Sequence, residues 1–327
     1  MSSSPGRDRA GLLSKLYITL RGIAIISPWL ARLFAADIAL SLLLPISVAA
    51  PTSTYDIASF IAESVWKGVQ RIFTHFNGAQ ITVSGAQLPR GESAIVVSNH
   101  VQWVDFYLIQ ALALKAGMLG RCRWFAKQQL RWVPFLGWGL WAMGMPLVSR
   151  KWTSDQKELE RVFQGVKRNS WPIWLISYSE ATRYTRAKYA ETVTWCKAND
   201  RPIPRHTLYP RTRGFIATIN QLRHTSHVRA VYDVTIAYAQ GNSFMGTPSF
   251  WQTISMPRLS DTWKFHVHVE RYLLTDLPEN DEELAKWLET RWIEKGERLE
   301  SLRDTLARGQ PWPPHELGNH EEMFNKE

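Results

Sequence analysis

The stretch AIVVSNHVQWVDFYLI, residues 94–109, sets the tightest limit on the fold. It places His100 and Asp105 in apolar and aromatic surroundings, with four residues between them. On one continuous helix that separation turns the side chain through about 500°, leaving the two groups about 140° apart and unable to touch. AIVVSN reads instead as a buried strand from its β-branched run, and VDFYLI as the opening of a helix. A strand-to-helix turn at His100 can fold the carboxylate back onto the imidazole. The partial positive charge at a helix N-terminus also favours an aspartate there.

The same alternation continues along the chain. AQITVSG, WPIWLISYS, VRAVYDVTIAYA and FHVHVERYLL read as strands and PLVSR as a short one, while DFYLIQALALKAGM and SDQKELERVFQGVKR read as helices. This pattern predicts an α/β fold, a mostly parallel or mixed twisted sheet flanked by helices, with an N-terminal membrane-embedded helical segment. Three zones follow: residues 1–75 as membrane-anchoring apolar and amphipathic helices, 76–275 as the α/β domain, and 276–327 as a C-terminal amphipathic helix with a polar tail. A chain of 327 residues has enough interior to exclude water from a site.

The anchoring zone is read from composition. Between Gly22 and Ala50 only Arg32 and Asp37 are charged, and Pro28 and Pro45 stand as breakers. The uninterrupted run after Asp37 has 13 residues, against the roughly 20 of a perpendicular span. Two arrangements fit: one span from about Leu33 to Ala50, or a re-entrant helical hairpin. IASFIAESVWKGVQRIF follows as an amphipathic helix carrying Ile57, Phe60, Ile61, Val65, Val69, Ile72 and Phe73. The excess of 39 Lys and Arg over 29 Asp and Glu favours a polyanionic partner, and 16 tryptophans favour a membrane interface as that partner. Two cysteines form no disulfide framework and suit a reducing compartment.

A carboxylate on one ring nitrogen fixes the imidazole tautomer and leaves the other nitrogen free to accept a proton. Such a dyad is a general base without a nucleophile. No G-x-S-x-G elbow occurs in the chain, so the attacking hydroxyl would belong to the substrate. By itself a His–Asp pair in a turn is more often a structural hydrogen bond, and further motifs must decide.

Four ordered blocks do so. NHVQWVD resembles the H-x4-D signature of the glycerolipid acyltransferases, the family that includes the 1-acylglycerol-3-phosphate acyltransferases. KQQLRWVPFLGW is similar to its second block, SEATRYT to its E-G-T-R block, and LYPRTRGF to its fourth; the later strands look like the eukaryotic lysocardiolipin and lysophosphatidylinositol acyltransferase branch. The resemblance implies His100 and Asp105 as catalytic residues. It also implies Lys127, Arg150, Glu180, Thr182, Arg183 and Pro210 as substrate-binding residues. It further implies acyl-CoA as co-substrate with no cofactor, a lysophospholipid acceptor, a bilayer as partner, and residence in the endoplasmic reticulum or mitochondria-associated membrane. One departure stands out: Ala181 occupies the position of the family glycine, where φ > 0 or close approach to a ligand is usual.

Two other readings stay open at this stage: a catalytically weak lipid-binding scaffold, and a lipase-like hydrolase. His266, His268 and Glu270 alternate on one strand face, but lack thiolate partners and fit no familiar zinc spacing, so no metal is expected. The basic RHTLYPRTRGF is accompanied by no nucleic-acid-binding motif, and no nucleic-acid partner is expected.

Overall fold

The structure is a computed structural model that describes residues 5–133, 136–149 and 152–313. Its strands are β1 (Ile81–Gly85), β2 (Ser93–Ser98), β3 (Cys122–Trp124), β4 (Ala126–Lys127), β5 (Leu147–Val148), β6 (Trp174–Tyr178), β7 (Val228–Gln240), β8 (Ser243–Phe244) and β9 (Trp263–Leu273). The helices are α1 (Pro5–Leu43), α2 (Ile46–Ala49), α3 (Pro51–Arg71), α4 (Asp105–Lys115), α5 (Leu136–Ala142), α6 (Trp152–Asn169), α7 (Arg186–Ala198), α8 (Thr212–Leu222), α9 (Phe250–Ser255) and α10 (Asp281–Ala307).

The main sheet runs in the order β1-β9-β7-β2-β6-β3, with β8 extending β7. Neighbours are parallel except for the long β7–β9 pairing and the β7–β8 hairpin. The expected mixed α/β sheet is therefore present. Strand β2 lies between β6 and β7, and all of its residues are buried. A strand covered on both faces needs a continuous apolar run, and Ala94, Ile95, Val96 and Val97 supply it. Because β2 is central, the residues that leave its carboxyl end emerge into the crevice where ligands of open α/β sheets bind.

PLVSR contributes only β5, which pairs with β4 in a separate two-stranded sheet rather than joining the main one. On the other flank, α10 is capped by Asn280, whose side chain accepts from Glu282 N at 2.8 Å. It packs Leu284, Leu288, Trp292, Leu299 and Leu302 inward. That stripe recurs at three and four residues, the spacing of one helix face.

The N-terminal helices depart from the sequence reading. Pro28 does not break α1, which runs unbroken to Leu43 and ends ahead of Pro45. Packing supplies the reason: the Trp29 indole N–H donates to Val65 O at 2.9 Å, and Gly68 leaves room for that ring, since a Cβ there would come within 2.9 Å of it. The stretch long and apolar enough to cross a membrane, by length and composition, is Leu12–Leu43 rather than Leu33–Ala50. Helix α1 then turns back through α2 into α3, so the two long helices form a packed hairpin.

The inward face of α3 keeps Val65 and Val69 of the expected apolar stripe and departs from it at Ile57 and Phe60. Its small residues Ala58, Ser59 and Ala62 are buried with Val65 and Val69, whereas Ile57 and Phe60 point outward. Small side chains let α3 approach the domain closely: a Cβ on Gly120 would lie 2.3 Å from Ser59 O. The outward Ile57 and Phe60 join the exposed Leu16, Leu20, Phe34 and Leu42 of α1 in leaving apolar surface on this hairpin.

Candidate active site

The site is built on the tips of adjacent strands. Ser98 of β2 is level with Tyr178 of β6, so His100 and Glu180 each lie two residues beyond a matched pair. Asn99 then locks the turn to β7: its amide donates to Ile236 O at 3.0 Å, and its Oδ1 accepts from Ile236 N at 2.8 Å. The side chain thus continues the ladder after the backbone has left it.

The turn brings His100 Nδ1 to 2.7 Å from Asp105 Oδ2. The same oxygen accepts from Val101 N at 2.7 Å and Gln102 N at 3.1 Å, and Oδ1 accepts from the Tyr238 hydroxyl at 2.6 Å. This geometry accounts for the four-residue spacing: the carboxylate collects the N–H groups of the turn as well as the ring. Asp105 is fully buried, and its four donors hold a charge that would otherwise be costly there. With Nδ1–H donating to Asp105, the lone pair falls on Nε2. The imidazole stacks on Tyr178 with ring centroids 4.0 Å apart and planes 12° apart, which fixes its remaining rotation.

The E-A-T-R loop is tied to this turn. Tyr184 N donates to His100 O at 2.8 Å, and Arg183 Nη1 donates to Gln102 Oε1 at 3.1 Å. Thr182 Oγ1 accepts from Lys188 Nζ at 2.6 Å. Ala181 has φ +56°, the left-handed region expected where the family carries glycine. Glu180 is buried, and its Oε1 accepts from the Trp292 indole N–H of α10 at 3.3 Å. Burial pushes the Glu180 carboxyl well above the usual carboxylate range, against the pull of the Trp292 N–H and of the backbone N–H groups of Leu208 and His100. Behind it lies a buried ion pair, Lys295 Nζ on Asp233, with Lys295 also donating to Val234 O at 2.8 Å. Pro210 is buried, and the next residue, Arg211, donates its N–H to Ser179 O at 2.7 Å.

The structure therefore gathers His100, Asp105, Glu180, Thr182, Arg183 and Pro210 around the tips of β2 and β6. Lys127 ends β4 in the small second sheet with an exposed side chain, and no hydrogen bond or ion pair ties it to the other site residues among those described. Arg150 lies outside the described residues. Sequence reading missed Asn99, Tyr238 and Lys188 as parts of the site. Asn99 was visible as a polar residue closing an apolar strand, and Lys188 as a cation soon after Arg183. Tyr238 sits within an apolar strand with no local signal. His266 and His268 are taken up by hydrogen bonds with Thr82, Ser84 and Glu270 beneath α10.

The site is thus an oriented imidazole on a strand tip of a mixed α/β sheet, with no serine or cysteine hydrogen-bonded to its Nε2 among the described residues. The chain belongs to the glycerolipid acyltransferase family. Residues 80–239 match the acyltransferase family and residues 260–311 the acyltransferase C-terminus. It is 28% identical to 1-acyl-sn-glycerol-3-phosphate acyltransferase 2 of Brassica napus over 251 residues, 73% of this chain and 60% of that protein. It is 32% identical to human 1-acyl-sn-glycerol-3-phosphate acyltransferase delta over 206 residues, 62% of this chain and 51% of that one. The chain thus spans about half to three-fifths of the length of these curated relatives. The crystal structure of the 1-acyl-sn-glycerophosphate acyltransferase PlsC from Thermotoga maritima aligns with TM-score 0.48 and 17% identity, covering 88% of this chain and 100% of that one.

Proposed function

We propose that the protein is a membrane-bound, acyl-CoA-dependent acyltransferase that esterifies a free glycerol hydroxyl of a lysophospholipid. The observation that carries this reading is the His100–Asp105 contact, which leaves Nε2 as a base with no protein nucleophile hydrogen-bonded to it among the described residues. His100 Nε2 takes the hydroxyl proton while Asp105 stabilises the imidazolium. The oxygen attacks the thioester carbonyl, the carbon–sulfur bond breaks, and the imidazolium returns the proton to the departing thiolate. Atoms and charge balance without a covalent enzyme intermediate.

Arg183, exposed beside the dyad, and Arg150 are assigned to the acceptor phosphate, because planar guanidinium donors match phosphate oxygens. Lys127 is a further cation for phosphate. Glu180, Thr182 and Pro210 shape the acceptor pocket. Tyr178 Oη and Ser179 Oγ are buried without hydrogen-bond partners among the described residues, a polar lining that suits a hydroxylated acceptor. The apolar exterior of α1 supports attachment to a bilayer, which we assign to the endoplasmic reticulum.

The test supplies labelled acyl-CoA to the purified chain with lysophosphatidic acid, lysophosphatidylinositol, lysocardiolipin or lysophosphatidylcholine. Acceptor-dependent release of CoA is expected and should vanish in a folded His100→Ala variant. Transfer that survives that substitution would sink the mechanism, and acyl-CoA hydrolysis indifferent to acceptor would indicate a hydrolase.

A further inference from the structure

A second feature lies at the opposite end of β6 from the dyad. Where α1, α2 and α3 cover the edge strand β3, they enclose with α5 and α6 a cavity of about 210 Å³. Its wall is mostly aliphatic, including Leu40, Leu44, Ala58, Met143 and Val166. For scale, a dry apolar cavity of roughly 150 Å³ accommodates benzene.

Two charged side chains, Arg123 and Arg161, form part of that wall, and Arg123 is the buried one. Arg123 is 1% exposed, with Tyr55 beneath its guanidinium at 4.9 Å. Nη1 donates to Gly120 O at 2.9 Å and to Cys122 O at 3.0 Å, and Nη2 donates to Ser59 Oγ at 3.1 Å. Three of its five N–H donors are thereby used. Nε has no partner among the described residues, and it shares one edge of the guanidinium plane with Nη2, whose second N–H also remains. Thr54, which lines the same cavity, likewise has a buried hydroxyl without a partner.

No carboxylate pairs with Arg123 among the described residues: Asp56 is engaged by Arg121 and Glu63 by Lys67. Arg161, over the Trp141 ring at 5.5 Å, brings a further guanidinium to the cavity. A buried cation without a counterion is costly, and the cost is removed by an anion that accepts hydrogen bonds from it.

From these observations we infer that the cavity is a second lipid site, for an aliphatic carboxylate whose head draws the buried, unpartnered Nε edge of Arg123 toward it and whose chain lies along Leu40, Leu44 and Met143. A planar carboxylate matches a two-donor edge, while a phosphate would leave oxygens unpaired. Leu43, Leu44 and Ser47, partly exposed residues of the lining, stand where α1 ends, and a ligand entering there would lie beside the apolar hairpin and join it to β3 and α6. The site is separate from the dyad and independent of which lysophospholipid the enzyme accepts.

The full chain in phosphatidylcholine vesicles would be titrated calorimetrically with decanoate, decyl phosphate and decyltrimethylammonium. Saturable binding of decanoate is expected, accompanied by a raised melting temperature, with none by the cation. Arg123→Lys keeps the charge but loses the two-donor edge, and should weaken decanoate at least about tenfold. Leu44→Trp, at the half-exposed mouth, blocks the cavity by bulk and should do the same, so the question stays decidable if the arginine variant fails to fold. Absence of saturable decanoate binding, equal binding of the cation, or unchanged affinity in Leu44→Trp overturns the proposal. Decyl phosphate binding about tenfold tighter than decanoate overturns the carboxylate assignment.

Discussion

Tyr238, in the middle of the sheet, donates its hydroxyl to Asp105 Oδ1 at 2.6 Å, although 133 residues separate the two in the chain. The dyad is therefore held from outside its own turn. The backbone N–H groups of Val101 and Gln102 bind one carboxylate oxygen, Tyr238 binds the other, and the plane of the carboxylate is fixed before any substrate arrives.

Removing that tie should cost rate more than fold. Tyr238→Phe keeps the ring and deletes a hydrogen bond to a charged group, worth about 1.5–3 kcal/mol. Transfer should fall about tenfold or more in kcat, with KM for the acceptor little changed. Steady-state kinetics on the folded variant decide it, and a wild-type kcat would show that the turn alone orients Asp105.

Ala181 takes φ +56°, where an L side chain is strained. Ala181→Gly should stabilise the protein by about 1 kcal/mol, raising the melting temperature by about 1–2 °C. Calorimetry of the two proteins tests this. A lower melting temperature would mean that the alanine methyl makes contacts that outweigh its backbone strain.

Burial keeps the Glu180 carboxyl protonated to higher pH than an exposed one. The native state then binds a proton that the unfolded chain releases in the ordinary carboxylate range. Stability is greatest below that range and declines as pH rises towards the raised native value. Glu180→Gln should flatten this decline and raise the melting temperature at the alkaline end, while lowering acyl transfer. Melting curves across the pH range check the sign, and a variant that loses stability chiefly at high pH would contradict it.

Lys295 and Asp233 form a fully buried pair, and Lys295 also stands 5.0 Å from the Trp292 ring that faces Glu180. Burial holds the Lys295 amine below its usual range, opposed by Asp233. Lys295→Met strands a carboxylate and should destabilise by about 3–5 kcal/mol, whereas adding Asp233→Leu should recover much of the loss. Urea denaturation of the single and double variants measures both. If the double variant is as unstable as the single, the ion pair is not what Lys295 contributes.

Local pattern carried most of the fold. Each β-branched run became a strand, and α10 follows its apolar period closely. What failed depended on tertiary contact. Pro28 stays helical because Trp29 anchors α1 to Val65, and Ala58 and Ala62 face inward because α3 must approach Gly120. The dyad was legible because its spacing excludes a straight helix. Tyr238 and Trp292 were not, because each reaches the site across the sheet or from the C-terminal helix, and nothing in the neighbouring residues marks them. The short β3 and the helices α7 and α9 lack a strong period of their own, whereas α8 carries one in Phe215, Ile219 and Leu222 that the basic run before it obscured.

Arg21, in the apolar helix α1, donates to Ser255 O at 2.8 Å and to Phe76 O at 2.7 Å, and Gly22 lets Trp251 pack against the same turn. The helix is thereby a handle welded to the body rather than a leash. Whatever grips α1 also sets the tilt and height of the strand tips that carry His100 and Glu180, so those tips cannot swivel independently of it. On the proposed function, with a bilayer as the grip and a lysophospholipid as the acceptor, the acceptor must be delivered along the surface that holds the handle, and lateral diffusion of lipid takes over the work that tumbling does for an enzyme free in water.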